Sequence, residues 1–412
     1  MSIRTVQGAG LTPRHSVIAG KNMNGTVVDT TTPWVRNPSW LTLPTVGDTD
    51  QKFAGLVAVF PESSYLALTA AGNYTIDWGD GTVENIATGV QANHLYDYTA
   101  AGLNNSDAPV TLTDAGDLIT RTAHGYSNGM EVRFWNIVTT TGLTEGQVYY
   151  VINATADAFQ VSATVGGAAL ALTGDGSATL LRYKQAIVTV VPQSGQNLTA
   201  LNLNVKNSTS GLQAYDAGWL DLIVGSPNFT TTGLVLAANS TTRNVRMSFV
   251  EQVVVQNFGG TTDLSYRFYY MNKLRSVSLA STAAVTSMSN MFSGCYSLQT
   301  VPLFNTAAVT SMSGMFSGCS LQSVPALNVS AVTSSTNFNA MFYSCNNLAR
   351  IQAKEFKYTF SVTNCKLSSA ALNEIYTNLP VVTGQTITVT GNYGTTGDDP
   401  TIATAKGWTV TG

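Results

Sequence analysis

Met291-Phe292-Ser293-Gly294-Cys295 returns as Met315-Phe316-Ser317-Gly318-Cys319, and again as Met341-Phe342-Tyr343-Ser344-Cys345. The repeat length is about 23 to 26 residues. A unit that short cannot close a core of its own. It buries its apolar face only by stacking on its neighbours, so this part of the chain is expected to be a solenoid. Each unit also carries a second signal, Leu298-Gln299-Thr300-Val301-Pro302, matched upstream by Leu274-Arg275-Ser276-Val277-Ser278. Downstream it is matched by Leu321-Gln322-Ser323-Val324-Pro325 and Leu348-Ala349-Arg350-Ile351-Gln352. Less regular rungs such as Val253-Val254-Val255 precede them, and the solenoid is expected over 194–367.

Charge sets the next limit. Only 10% of the 412 residues are charged, against roughly 25% in ordinary domains, while apolar content is a normal 44%. Thr, Ser, Asn and Gly take the place of the ionisable residues. Apolar content and abundant β-branched residues argue for packed β structure rather than disorder. A net charge of −3, with Lys and Arg forming no run, gives no footprint for nucleic acid. No stretch is long and apolar enough to insert in a membrane. The first residues, MSIRTVQGAGLTPRHSV, lack the apolar core of a secretory signal, and the last, KGWTVTG, show no anchor or sorting tail. Export by those routes is not expected.

Residues 1–50 read as an extended arm. Pro13, Pro33, Pro38 and Pro44 interrupt any long element, and Trp34 and Trp40 are candidate anchors on the next domain or on a partner. From 51 the chain alternates as strands do, at Leu56-Val57-Ala58-Val59-Phe60 and Tyr65-Leu66-Ala67-Leu68-Thr69. Tyr74-Thr75-Ile76-Asp77-Trp78 then runs into Gly79-Asp80-Gly81-Thr82, and His94-Leu95-Tyr96 follows. This strand-turn resembles the PKD domain, an immunoglobulin-like β-sandwich, with W-G-D-G in place of W-x-F-G-D-G. The resemblance implies a closing strand, which arrives only at Gln185-Ala186-Ile187-Val188-Thr189-Val190-Val191-Pro192. The sandwich is therefore expected over 51–105 and 184–193, with residues 106–183 inserted at a loop tip.

The insert carries short strands separated by Gly and Asn turns: Ile119-Thr120-Arg121, Glu131-Val132-Arg133-Phe134, Tyr149-Tyr150-Val151-Ile152 and Phe159-Gln160-Val161-Ser162. A small β-barrel or sandwich fits this spacing. The segment resembles a small β-module of bacteriophage tail and other virion proteins. The solenoid unit V-T-S-M-S-x-M-F-x-G-C-x-S-L-x-x-V-P is similar to the BspA-like leucine-rich repeats of bacterial and viral surface proteins. After it, Ser368 can cap a helix whose Leu372, Ile375, Tyr376 and Leu379 share a face and which Pro380 stops. With strands at Thr386-Ile387-Thr388-Val389-Thr390 and Trp408-Thr409-Val410, residues 368–412 are expected to cap the solenoid.

Chemistry-bearing clusters are few. Cys295, Cys319 and Cys345 hold the same place in successive units, and Cys365 follows. A buried column of thiols is the first reading, with inter-rung disulfides or a metal site as alternatives. Asp77 and Asp80 are either a turn or an acid-base or calcium pair. His15, His94 and His124 lie in separate segments, and Asp398-Asp399 reads as a solvated turn. Aligned rungs place Tyr269, Ser293, Ser317 and Tyr343 in one column beside Phe268, Phe292, Phe316 and Phe342. The Phe column is core. For the column bearing Tyr269 and Tyr343, a sugar- or protein-binding face and ordinary surface both remain open.

These readings point to a mainly β, non-enzymatic protein without cofactor or metal. The resemblances imply a phage virion protein: a tail-fibre or head-fibre adhesin attached by its N-terminal arm to other virion proteins, homo-oligomeric, and presenting the solenoid to a host glycan or protein. A capsid decoration protein, a bacterial surface adhesin and a glycan depolymerase are the alternatives.

Overall fold

A computed structural model of the chain describes residues 34–37, 40–59, 64–97, 103, 108–124, 126, 128–129, 131–145, 147–181, 184–205, 218–237 and 249–412. Most of the expected N-terminal arm, with His15, lies outside these residues. The chain divides into two compact units. One is Leu41–Leu103 with Ala186–Gly412; the other is Asn104–Gln185 with the segment up to Trp40. Both are mainly β.

The larger unit opens with five strands: β1 (Lys52–Val59), β2 (Ser64–Ala71), β3 (Tyr74–Asp77), β4 (Val83–Ile86) and β5 (Gln91–Tyr96). The chain then enters the smaller unit and forms β6 (Ala108–Thr113), β7 (Leu118–Thr120), β8 (Glu131–Val138), β9 (Tyr149–Ile152), β10 (Ala158–Ser162) and β11 (Gly176–Leu181). These six close into a barrel in the order β10-β7-β6-β11-β8-β9, so no strand edge is left unpaired. Of the two small architectures expected for the insert, the barrel is the one that forms. Its core is Leu112, Ile119, Phe134, Val151, Phe159 and Leu180, each fully buried and drawn from alternating positions.

The larger unit resumes with β12 (Lys184–Pro192), β13 (Ala200–Asn202), β14 (Trp219–Gly225), β15 (Leu234–Val235), β16 (Gln252–Asn257) and β17 (Ser276–Leu279). Two sheets result, β17-β16-β14-β1-β12-β3-β4 and β15-β13-β2-β5. Strand β14 is antiparallel to β1 on one side and parallel to β16 on the other. Strand β13 does the same between β2 and β15. The first rungs of the solenoid therefore continue both sheets, and one core runs from Phe53 to Trp408. Strand β1 is buried along nearly its whole length, as expected for a strand covered on both faces. Gly55 in its middle leaves room for the Trp219 indole, which a Cβ there would meet at 2.3 Å.

Regular rungs follow, and they are built of turns more than of strands. Over Leu264–Tyr270 alternate residues donate to the next rung: Leu264 N–H to Ser287 O, Tyr266 to Ser289, Phe268 to Met291 and Tyr270 to Ser293. The pattern repeats from Met288, Asn290, Phe292 and Gly294 to Ser311, Ser313, Met315 and Ser317, and once more from Met312 onward. Phe268, Phe292, Phe316 and Phe342 stack at centroid spacings of 5.2, 6.0 and 6.3 Å with planes within 13°. Each thiol behind them donates to the carbonyl of the Phe one rung back: Cys295 to Phe268, Cys319 to Phe292 and Cys345 to Phe316, at 3.0–3.1 Å. Ser265 to Ser287 and Ser289 to Ser311, both 2.7 Å, add a hydroxyl ladder.

Short parallel strands carry the stack onward: β18 (Ser323–Val324) with β19 (Arg350–Ile351), then β20 (Phe360–Ser361), β21 (Gln385–Thr388) and β22 (Trp408–Thr411). Helix α1 (Ser369–Asn378) lies between β20 and β21, capped by Ser368, whose hydroxyl accepts from Ala371 N–H. Its other end is held by Lys406, whose ammonium donates to Tyr376 O, Thr377 O and Leu379 O and satisfies carbonyls that the helix leaves free. Buried Asn392 accepts from Leu367 N–H and donates to Val362 O and Val389 O, tying these rungs together.

Phe316 sits in the middle of the stack with no exposure. Phe316→Ala should cost about 3–5 kcal/mol, read as a drop in the denaturation midpoint of the larger unit.

Candidate functional site

Rung geometry decides where side chains can stand out. Each regular rung contains two left-handed residues, four apart. They are Tyr266 and Tyr270 in the first rung, Asn290 and Gly294 in the second, Gly314 and Gly318 in the third, and Ala340 and Ser344 in the fourth, with φ between 53° and 79°. Gly, Asn and small residues suit this region, whereas a bulky aromatic there is an outlier. Only the first of these rungs places aromatics at both positions.

Those aromatics gather. Tyr266 meets Tyr269 at 5.2 Å, Tyr269 meets Tyr270 at 4.5 Å and Tyr270 meets Tyr296 at 6.1 Å, all edge to face. The Tyr270 ring lies over Gly294, where a Cβ would approach it to 2.9 Å; Tyr296 lies over Gly318 in the same way, at 3.1 Å. In its hydrogen-bonding orientation the Asn272 amide donates to Gly294 O and Tyr270 O, at 3.1 and 3.2 Å. Tyr266, Tyr269 and Tyr270 are half-buried, and Tyr296 is 50% exposed. Burial, and then the neighbouring phenols of Tyr270, Tyr266 and Tyr296, push the Tyr269 phenol up from its ordinary pKa.

The two residues singled out from the sequence fall differently. The ladder aligns Tyr269, Ser293, Ser317 and Tyr343, since Tyr270, Gly294 and Gly318 donate to the last three in turn. Tyr269 is the centre of the cluster. Tyr343 is 68% exposed and separated from Tyr269 by the Ser293 and Ser317 rungs. Tyr266, Tyr270 and Tyr296 are not among the residues that the repeat alignment of Tyr269 and Tyr343 singles out. Aligning the rungs on their Phe residues finds the first two, because it sets Tyr266 opposite Asn290, Gly314 and Ala340 and Tyr270 opposite Gly294, Gly318 and Ser344.

Arg267 is a further departure that the repeat pattern does not single out. It holds the place that Met291, Met315 and Met341 hold in later rungs, and it is buried. One guanidinium nitrogen donates to Asp263 O at 2.6 Å, and Nε has no partner. Burial pulls its pKa down to about 10, against the opposing charge of Asp263.

The other candidates are absorbed by structure. All four cysteines are free and buried. Burial pushes the thiols of Cys295, Cys319 and Cys345 far up and that of Cys365 to about 12, so they are unreactive packing groups. Asp77 accepts from Gly79 N–H and Asp80 from Thr82 N–H, which makes the turn. The second oxygen of Asp80 meets His94 Nε2 at 2.7 Å, with the two side chains 6% and 10% exposed. His94 stacks on Trp78 at 4.7 Å, and Tyr96 OH donates to Trp78 O. Burial works to raise the Asp80 pKa, but hydrogen bonds from Thr82 N–H and His94 outweigh it and hold the carboxyl below its ordinary range. In the barrel, His124 Nδ1 accepts from Tyr126 N–H, and the ring packs on Tyr126 and Phe159. Among the described residues, no group of three or more His, Cys, Asp or Glu is placed to hold a metal ion. No described helix is long and apolar enough to cross a membrane.

The family described as "Mycoplasma protein of unknown function, DUF285" matches residues 262–376, which span the regular rungs, the tyrosine cluster and most of α1. No curated protein and no solved structure matches the chain.

Arg267→Met restores the residue of the later rungs and removes a desolvated charge. It should leave stability unchanged or raise it by up to ~2 kcal/mol, measured by denaturant titration; a loss would show that the guanidinium returns more than its burial costs. The lowered pKa of Asp80 adds stability that is present above the ordinary carboxylate range and lost as pH falls through the folded value. Asp80→Asn should therefore cost about 1–2 kcal/mol at pH 7, with the gap to the parent closing in acid.

Proposed function

We propose that this is a non-enzymatic attachment protein of a bacteriophage particle, of the tail-fibre or head-fibre type. In this reading the two-sheet domain is an immunoglobulin-like sandwich of PKD type. The barrel is a virion module inserted at its loop, and the rungs are leucine-rich repeats of BspA-like kind that face the host surface. The N-terminal arm joins other virion proteins, and the protein acts as a homo-oligomer.

The observation that carries the reading is the continuity of the sheets. Because β14 and β13 pair with β1 and β2, the rungs are hydrogen-bonded directly onto a β-domain. An arrangement of this kind holds a surface in place rather than enclosing a substrate. The near-neutral, hydroxyl-rich composition suits a surface that works in an assembly or outside a cell. The Trp78–Asp80–His94–Tyr96 constellation supports the PKD-like reading, since it joins the strand-turn to the later strand as that motif implies.

Mass spectrometry of purified particles should find the chain in stoichiometric amounts, and excess soluble full-length chain should inhibit adsorption of those particles to host cells. Absence from the particle would end the virion reading. Presence without competition would leave a decoration protein with no receptor role.

A further inference from the structure

We propose that Tyr266, Tyr269, Tyr270 and Tyr296 form a saccharide-binding platform that takes pyranose rings of a surface glycan. This names the ligand class of the attachment surface and rests on the reading above.

Tyr266 and Tyr270 occupy left-handed backbone at φ 60° and 56°, where later rungs use Asn, Gly, Ala or Ser. Backbone strain of this kind persists where the surrounding structure imposes it, and it concentrates at ligand sites. The fold does not need tyrosine at either place, because three other rungs close without it.

Tyr270 and Tyr296 each lie over a glycine of the following rung, and Asn272 fixes the backbone between them. The rings are thus held before any ligand arrives, which lowers the entropy lost on binding. Tyrosine offers an apolar face and a hydroxyl with only two side-chain torsions to freeze.

Four rings of about 150–250 Å² each, half-buried, present roughly 300–500 Å², about 400 Å² at the middle of that range. That is half of the ~800 Å² per partner that a stable protein interface needs. It is ample for one or two sugar rings, whose C–H faces stack on aromatic rings while their hydroxyls reach phenols.

The test is retention of the full-length chain on an array of immobilised neutral and acidic oligosaccharides, with melting curves on the same samples. The native chain should bind at least one saccharide saturably. Tyr270→Gly and Tyr296→Ala should each weaken that binding by at least about tenfold. Tyr270→Gly should keep or raise the melting temperature, because glycine is the residue at positions 294 and 318. Failure of the native chain to bind any saccharide overturns the proposal, as does parent-like binding by both variants. A loss of binding that tracks a fall in melting temperature in both variants also overturns it, by making the tyrosines structural. These failures leave the particle and competition results untouched, so they are separable from failure of the attachment reading.

Discussion

The hydrogen bonds from one rung to the next are what the larger unit depends on. A rung of this length makes turns, and turns leave backbone groups that cannot pair within the rung. Alternate residues from Leu264 to Tyr270 find acceptors only in the following rung, and the same register repeats twice. A buried amide without a partner is costly, so a rung is stable only between neighbours. The Phe stack and the thiols that donate to Phe carbonyls then fill the space which that ladder fixes.

Such a stack has two ends, and the protein treats them differently. At the start, the rungs are hydrogen-bonded to β1 and β2, so a globular β-domain serves as the first surface to stack on. Toward the other end, α1 buries Ala371, Leu372, Ile375 and Tyr376, Lys406 donates to its free carbonyls, and Asn392 ties two successive rungs together. Both devices address the same requirement: the terminal rung must not present unpaired polar groups over an apolar core.

The backbone register also explains where function can be placed. Two left-handed positions per rung are imposed by the turns, and most rungs fill them with small residues. The first regular rung spends both on tyrosine. Its neighbours yield glycine beneath the rings, and Arg267 replaces the core methionine beside them. Three departures from the repeat within five residues mark the place where the chain stops obeying packing alone.

The solenoid, the β character of the chain and the break of the β-domain by an insert were legible because each rests on spacing, and spacing survives in one dimension. The helix at Ser369–Asn378 was legible for the same reason, through its cap and its apolar face. The choice of a closed barrel for the insert was not, since strand lengths alone do not say whether β10 reaches back to β7. Nor was the merging of the rungs with both sheets, which depends on β14 and β13 finding partners far away in sequence. Tyr343 and Tyr269 share a column that the repeat reveals. The cluster around Tyr269 arises only because the turns bring Tyr266 and Tyr270 to one side and the stack lays Tyr296 alongside. By itself the sequence determined that the chain must stack rungs and what fills their core. Tertiary structure decided how the stack begins, how it ends and which side chains stand together on its surface, because those depend on contacts between residues that no local pattern connects.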